Sequence, residues 1–396
     1  MVNNLRRGLA ASLLALAAPF VSAQPAPIKI GLLVIDSGPF ATYANLMETG
    51  AKTAVDILNA EGGVLGRKFE VVVQAHSGTP QAAIAATQRL SQQEGVTMIT
   101  GQTISSHSLA LVPRLEQMNV MMIDAYAASV ELMQKVCSPN YFRVNINDAA
   151  ATKTMEEFAK ASGAKTWNLI SMDYASGRSF DATFTELVKS IGGSVKQSIF
   201  TPTGTTDFGG QISQLSNAAD ALVVTLFMSD GQNFAKQQKQ FGLFDKYKLV
   251  LGNAFATDFQ LEAHGDNVLG VVNSLGWTPD LPGARNAQYV KEFTARAKRR
   301  PFYTDADLMV VMEVFRAGIQ KAGSTDIPAI RKALEGMNIP TIFGPNEMRA
   351  ADHHLIRQYG MAQVVKGPDG KNRFEMRVVK QGSEIYPPPN PGCKVS

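Results

Sequence analysis

From Ile28 to Ile35 the chain is an apolar run broken only by Lys29 and Gly31, which predicts a strand buried on both faces. Between Tyr43 and Ala60 the apolar residues Leu46, Met47, Ala51, Ala54, Val55 and Leu58 recur at helical spacing, and Glu61-Gly-Gly-Val-Leu-Gly66 stops the helix. The alternation continues with a strand at Phe69–Gln74, a helix at Pro80–Gln93, a strand at Val96–Thr100, a helix at Ser106–Met118 and a strand at Val120–Ile123. A second alternating set follows. Its helices are predicted at Ala149–Ala161, Ser179–Ile191, Phe208–Asn217 and Asn233–Phe241, and its strands at Trp167–Ser171, Val195–Phe200, Ala221–Leu226 and Lys248–Leu251. Three helices come next, at Ala287–Lys298, Thr304–Ala322 and Ile327–Leu334. A hairpin of Gln358–Val365 and Phe374–Val379 turns on Gly-Pro-Asp-Gly370, and Pro387-Pro-Pro-Asn-Pro391 is a stiff extended tail. Repeated βα units imply two parallel sheets with helices on both faces.

A chain of 396 residues has room for two or three such units. Hydrophobic residues at 45% and charged residues at 18% describe an ordinary globular protein, and exclude wholesale disorder or a small disulfide scaffold. The net charge of +4 is too weak for a nucleic-acid footprint, so no nucleic-acid partner is expected. The first two dozen residues read as an address. Arg6 and Arg7 precede an uncharged run from Leu9 to Val21, and Val21-Ser22-Ala23 supplies small residues at the cleavage site. Cleavage after Ala23 lowers the charge from +4 to +2 and leaves an exported protein. A short N-terminal membrane anchor is the alternative.

Export places Cys137 and Cys393 in an oxidising compartment, where loop cysteines beside Pro and Gly pair readily. A disulfide would pin the C-terminal tail to the body. The alternative is a catalytic thiol, for which a Pro-rich tail is a poor setting. No G-x-G-x-x-G follows the first strand, and no phosphate-loop lysine motif, G-x-S-x-G or H-E-x-x-H is found. Asp352-His353-His354 is the only histidine cluster, and neighbouring side chains on one segment diverge, so loop or strand-edge histidines are expected there and no metal. Lys298-Arg299-Arg300 complements a helix C-terminus. No cofactor and no enzymatic activity are expected. These features point to a binder.

Ile28-Lys-Ile-Gly-Leu-Leu, Ser37-Gly-Pro-Phe-Ala-Thr-Tyr43 and Gly50-Ala-Lys-Thr-Ala-Val-Asp-Ile-Leu-Asn-Ala-Glu-Gly-Gly-Val-Leu-Gly-Arg67 resemble the opening of the leucine/isoleucine/valine-binding proteins of ABC transporters. Asp173-Tyr-Ala-Ser-Gly177, Asp207-Phe, Ile212-Ser-Gln-Leu215, Gln240-Phe-Gly-Leu243 and Ala351-Asp-His-His354 follow in family order. The Cys-Ser-Pro segment and a C-terminal cysteine resemble a branch that bridges these positions. The resemblance implies an α/β type I periplasmic binding protein: two Rossmann-like lobes joined by hinge crossovers, with the ligand in the cleft. Lobe 1 would take 24–143 and 275–350. Lobe 2 would take 144–274 and 351–396 with the tail. It further implies a periplasmic monomer that holds a small-molecule ligand and docks transiently on an ABC permease of the inner membrane. A sensor or receptor module of the same fold is the alternative.

The resemblance also places the pocket. Family members hold the ligand carboxylate at a helix start, here Gly101-Gln-Thr-Ile-Ser105-Ser106-His-Ser108, so Ser105 and Ser106 are candidates, with simple helix capping as the other role for Ser105. In the next loop Ala128 stands where amino-acid binders have a carboxylate-holding Thr, with Ser129 adjacent and Tyr126 nearby. Tyr43 matches a Tyr that walls the family pocket. In lobe 2, Ala254 aligns with the acid that holds a ligand ammonium, beside Phe255, and Met228 falls where a pocket Tyr is expected, beside Phe227. Asp173, followed by Tyr174, accepts hydrogen bonds or caps the next helix. The expected pocket is apolar and aromatic, with its polar groups on one side. It suits a small carboxylate or amide with an aromatic or apolar body, with a branched-chain amino acid as the alternative.

Overall fold

The computed structural model describes residues 25–216 and 219–395. The export segment expected at 1–23, and Asn217 at the end of one expected helix, lie outside them. The chain opens with β1 (Ile28–Ile35), α1 (Ala41–Ala60), β2 (Phe69–His76), α2 (Pro80–Gln93), β3 (Met98–Thr100), α3 (Ser105–Leu111), β4 (Met121–Asp124) and β5 (Tyr141–Arg143). It crosses over to α4 (Asp148–Ala161), β6 (Thr166–Met172), α5 (Ala175–Ser190), β7 (Ser194–Thr201), α6 (Gly209–Leu215), β8 (Ala221–Thr225), α7 (Met228–Gln240), β9 (Leu249–Asn253), α8 (Leu261–His264) and β10 (Val272–Leu275). It returns for α9 (Ala284–Ala297), α10 (Tyr303–Ala322), α11 (Ile327–Leu334), β11 (Asn338–Thr341), β12 (Gly344–Arg349) and β13 (His354–Ile356). A last crossing leads to β14 (Tyr359–Lys366), β15 (Asn372–Lys380) and α12 (Gly382–Ile385).

The strands form two sheets, ordered β11-β12-β13-β5-β4-β3-β1-β2 and β15-β14-β10-β9-β8-β6-β7. The βα units supply the parallel part of each. Hairpin strands of the C-terminal third add antiparallel edges, so both sheets are mixed rather than purely parallel. β13 joins the first sheet, with His354 opposite Arg143. The last crossing therefore lies at Arg357–Gln358, a few residues beyond the expected boundary at 350/351. β1 is buried along both faces, as its unbroken apolar run requires. α10 is buried without a break from Thr304 to Phe315, because it packs between α1 and the first sheet. A helix apolar nearly all round has nowhere else to go.

Cys137 and Cys393 form a disulfide, Cα to Cα 5.5 Å, so no catalytic thiol remains. The tail also donates from Asn390 Nδ2 to the Gln134 carbonyl, and the Pro387 carbonyl accepts from Arg349. The tail thus returns from the second lobe to the first. His353 lies in the turn before β13 and His354 is that strand's first residue, as expected of loop or strand-end positions, and both are buried. His353 stacks on Phe142 with ring centroids 4.0 Å apart, while His354 Nε2 bonds the Asn145 carbonyl at 2.7 Å. Among the described residues no group of three His, Cys, Asp or Glu could hold a metal ion, and no helix is long and apolar enough to cross a membrane.

Candidate ligand-binding cleft

The three crossovers bring the carboxyl ends of both sheets to one cavity, where open α/β sheets place their ligands. At the first-lobe wall, Gly101 turns the chain out of β3 at φ 104°, and a Cβ there would fall 2.5 Å from the Leu33 carbonyl. Only glycine fits. The turn delivers Ser105 to the first position of α3, 1% exposed. Its Oγ accepts the backbone N–H groups of Ala128 at 3.1 Å and Ser129 at 3.2 Å. With both N–H groups aimed at the oxygen, the hydroxyl proton is left to donate into the cavity. α3 is seven residues long, so this hydroxyl matters more than a helix dipole.

The facing loop is organised by Asp124, buried at the end of β4. It accepts from Ser108 Oγ, Tyr141 Oη and the N–H groups of Tyr126 and Ala127, all at 2.9–3.0 Å. Burial pushes its carboxyl up, and those N–H groups pull it back. The Ala128 carbonyl accepts from the Asp148 N–H at 2.9 Å, which ties this loop to the start of α4. Asp148 lines the cavity and is fully buried. Its carboxylate takes Ser176 Oγ at 2.9 and 3.1 Å. Burial raises its pKa to about 7, against the opposing bonds from Ser179 and Ser176 and the Arg143 charge.

Six aromatic residues wall the cavity: Tyr43, Tyr126, Tyr174, Phe227, Tyr303 and Tyr359. The Tyr43 ring meets those of Tyr126 and Phe259 edgewise or tilted, each at 5.6 Å. Tyr126 Oη donates to the Thr304 carbonyl at 2.9 Å, and the Tyr43 and Tyr303 hydroxyls bond each other. Phe227 precedes α7 and lies between Phe40 and Tyr174. Met228 and Ala254 both line the cavity with positive φ, 55° and 53°, uncommon for residues with a Cβ. Such strain collects at ligand sites.

Also from the first lobe, α10 presents Asp307 to the cavity. Arg357, from the last crossover, donates to Asp307 Oδ1 at 2.8 Å, and both side chains are almost wholly buried. Burial raises the Asp307 carboxyl and the Arg357 guanidinium opposes the rise. Asn145, Asn253, Asn273 and Ser274 complete the polar lining.

The structure therefore brings together Tyr43, Ser105, Tyr126, Ala128, Tyr174, Phe227 and Met228 of the expected set. Four expected residues lie outside. Ser106 is half-buried and does not line the cavity. Ser129 turns its Oγ back to the Glu131 N–H. Asp173 pairs with Arg178 at 2.6 and 2.9 Å on the surface. Phe255 is in the second lobe's core against Phe234 and Phe244. The expectation of polar groups on one side also fails, because Asp148 and Asp307 bring carboxyl groups from opposite walls. The signal for Asp307 was a trio of acids, with Asp305 and Glu313, set among apolar residues in one helix. That for Asp148 was an Asn147-Asp148 pair at a helix start.

The sequence profile of the family described as periplasmic binding protein matches residues 27–371. A Leu/Ile/Val-binding protein of Rhizobium johnstonii is 26% identical over 333 residues, 82% of this chain and 88% of that protein. An ABC-transporter solute-binding protein of Rhodopseudomonas palustris, solved with 3,4-dihydroxybenzoic acid, superposes with a TM-score of 0.82 at 24% identity, covering 90% of this chain and 98% of that one. A leucine-binding protein of Thermotoga maritima superposes at 0.79 with 22% identity, covering 90% and 100%.

Proposed function

We propose that this chain, which belongs to the periplasmic binding protein family, serves an ABC importer by closing its lobes on a small carboxylate with an aromatic body. The observation that carries the reading is Ser105. Its hydroxyl oxygen is held by two backbone N–H groups, and its proton opens onto a cavity walled by aromatic rings. Such a hydroxyl donates well to an anion, and rings add about 0.5–1.5 kcal/mol each beyond burial. An amide oxygen could take the same place. Closure is a hinge shift in populations and involves no bond chemistry. Residues 1–23 would direct export, and the loaded monomer would dock on a membrane permease.

A branched-chain amino acid is the second reading, favoured by two cavity carboxyls that could face an ammonium. The ammonium weighs against it. Asp307 is already paired with Arg357, and burial favours the protonated form of Asp148. An ammonium buried without a carboxylate of its own to pair with costs several kcal/mol.

Calorimetric titration separates the readings. Benzoate, phenylacetate, a hydroxycinnamate, a short-chain amide, leucine, valine and phenylalanine form the panel. At least one aromatic acid should bind tightly, and leucine and valine weakly. Only leucine or valine binding would overturn the proposal. The pH response carries its own sign. A ligand carboxylate beside Asp148 favours that group's protonated form, so affinity is fully present below pH 7 and falls above it. With a free-protein pKa of about 7, Kd should rise between about pH 6 and about pH 8.5, by about thirtyfold in the limit that only the protonated form binds. A ligand that sets an ammonium against Asp148 would show the opposite trend. Asp148→Asn should flatten the curve.

A further inference from the structure

The geometry points to Asp307 as a specificity-determining residue that takes a hydrogen bond from a hydroxyl on the ligand's ring, so that the site selects hydroxylated aromatic acids over the bare ring acid. This inference rests on the aromatic-carboxylate reading and adds what else the ligand must carry.

Asp307 stands in the second turn of α10, on a helix fixed by burial, and lines the cavity. One carboxylate oxygen, Oδ1, is occupied by Arg357. No described protein group is hydrogen-bonded to the other, Oδ2. The phenols around it do not fill that place. Tyr126 is committed to the Thr304 carbonyl, and Tyr43 donates to Tyr303, whose own hydroxyl makes no hydrogen bond to Asp307. The Tyr359 hydroxyl is hydrogen-bonded to Ser274. Oδ2 is not one of the buried atoms left without a partner, so it opens onto the cavity, and a ligand that excludes water there must supply the donor itself.

The charge of the donor follows from Arg357. Asp307 and Arg357 together are neutral, and neither side chain is more than 5% exposed. An ammonium placed on Oδ2 would set a second cation beside Arg357 on a carboxylate that Arg357 already neutralises. A neutral O–H adds a charge-assisted bond and no charge. Ser105 donates and Asp307 accepts, both from the first lobe. A ligand that satisfies both carries an acceptor and, elsewhere on its body, a neutral donor. On an aromatic acid this donor is a ring hydroxyl. Sites built to hydrogen-bond a hydroxyl discriminate strongly against analogues that lack it, because the site's own polar group is then stranded.

The test titrates the purified protein with benzoate, 3-hydroxybenzoate and 4-hydroxybenzoate. At least one hydroxybenzoate is expected to bind tenfold or more tightly than benzoate. In Asp307→Ala that ratio should fall below about threefold. A purely structural role would weaken all three acids together and leave the ratio unchanged. Should the single variant fail to fold, Asp307→Leu with Arg357→Met removes both charges and gives the same readout. A wild-type ratio near one, or a ratio that survives the substitutions, overturns the inference while leaving the aromatic-carboxylate reading intact. Binding of none of the three overturns both.

Discussion

Replacing Arg357 alone with methionine should cost the protein about 3–5 kcal/mol of folding stability. The residue looks like one basic side chain among many, yet it is 1% exposed at its side chain and its partner Asp307 is 5% exposed. Removing the guanidinium leaves a carboxylate buried without a counter-charge, and that stranded charge, not the lost attraction, sets the size of the effect. It also removes the cation lying 4.4 Å from the Phe343 ring centroid. The companion variant tests the cause. Arg357→Met with Asp307→Leu carries no buried charge and should recover most of the loss, since paired buried ions can often be exchanged for apolar residues at little cost. Urea unfolding can be followed by the fluorescence of Trp277 in the first lobe and Trp167 in the second, both buried. A single variant as stable as the parent, or a double variant no better than the single, would show that the pair is not isolated from water as described.

The second large effect belongs to ligand binding. Ser105→Ala should weaken binding of the preferred carboxylate by tenfold to about a hundredfold, the loss of one hydrogen bond to a charged group at about 1.5–3 kcal/mol. The substitution also strands the N–H groups of Ala128 and Ser129, which loosens the loop that the ligand meets. Ser106→Ala, one residue along and not part of the cavity lining, should change affinity by less than about twofold. Calorimetry on both variants makes the comparison. Equal effects at the two positions, or none at Ser105, would move the carboxylate site elsewhere.

Much of the fold was legible in local pattern. The strand at Ile28–Ile35 and the helices at Pro80–Gln93 and Ile327–Leu334 fall where periodicity puts them. The elements that escaped are short. β5 and β13 have three residues each, too few for a period, and they exist because distant neighbours complete the sheet. α5 and α7 begin earlier than expected, at Ala175 and Met228 instead of Ser179 and Asn233. Their first turns are polar or glycine-rich, which reads as loop. These same turns carry Ser176 and Met228 to the cavity. Gly177 is needed there, because a Cβ would fall 2.0 Å from the Met172 carbonyl.

The site divides along the same line. Ser105, Tyr43, Tyr126 and Phe227 were legible because each lies in a segment whose order resembles the family. Asp307 was not, because its meaning depends on Arg357, fifty positions away in the chain. Asp148 likewise depends on Ser176 across 28 positions. Asp173 misled for the reverse reason: a nearby arginine, Arg178, claims it locally. Contacts between distant residues decide which acids face a ligand, and no periodicity reports them.

The most direct test is a crystal structure of the protein with the tightest-binding aromatic acid of the titration panel. The ligand carboxylate should lie within hydrogen-bonding distance of Ser105 Oγ, with its ring among Tyr43, Tyr126 and Phe227 between the lobes. A carboxylate turned to Arg357 with Ser105 uncontacted, or a ligand bound outside the cleft, would contradict the account.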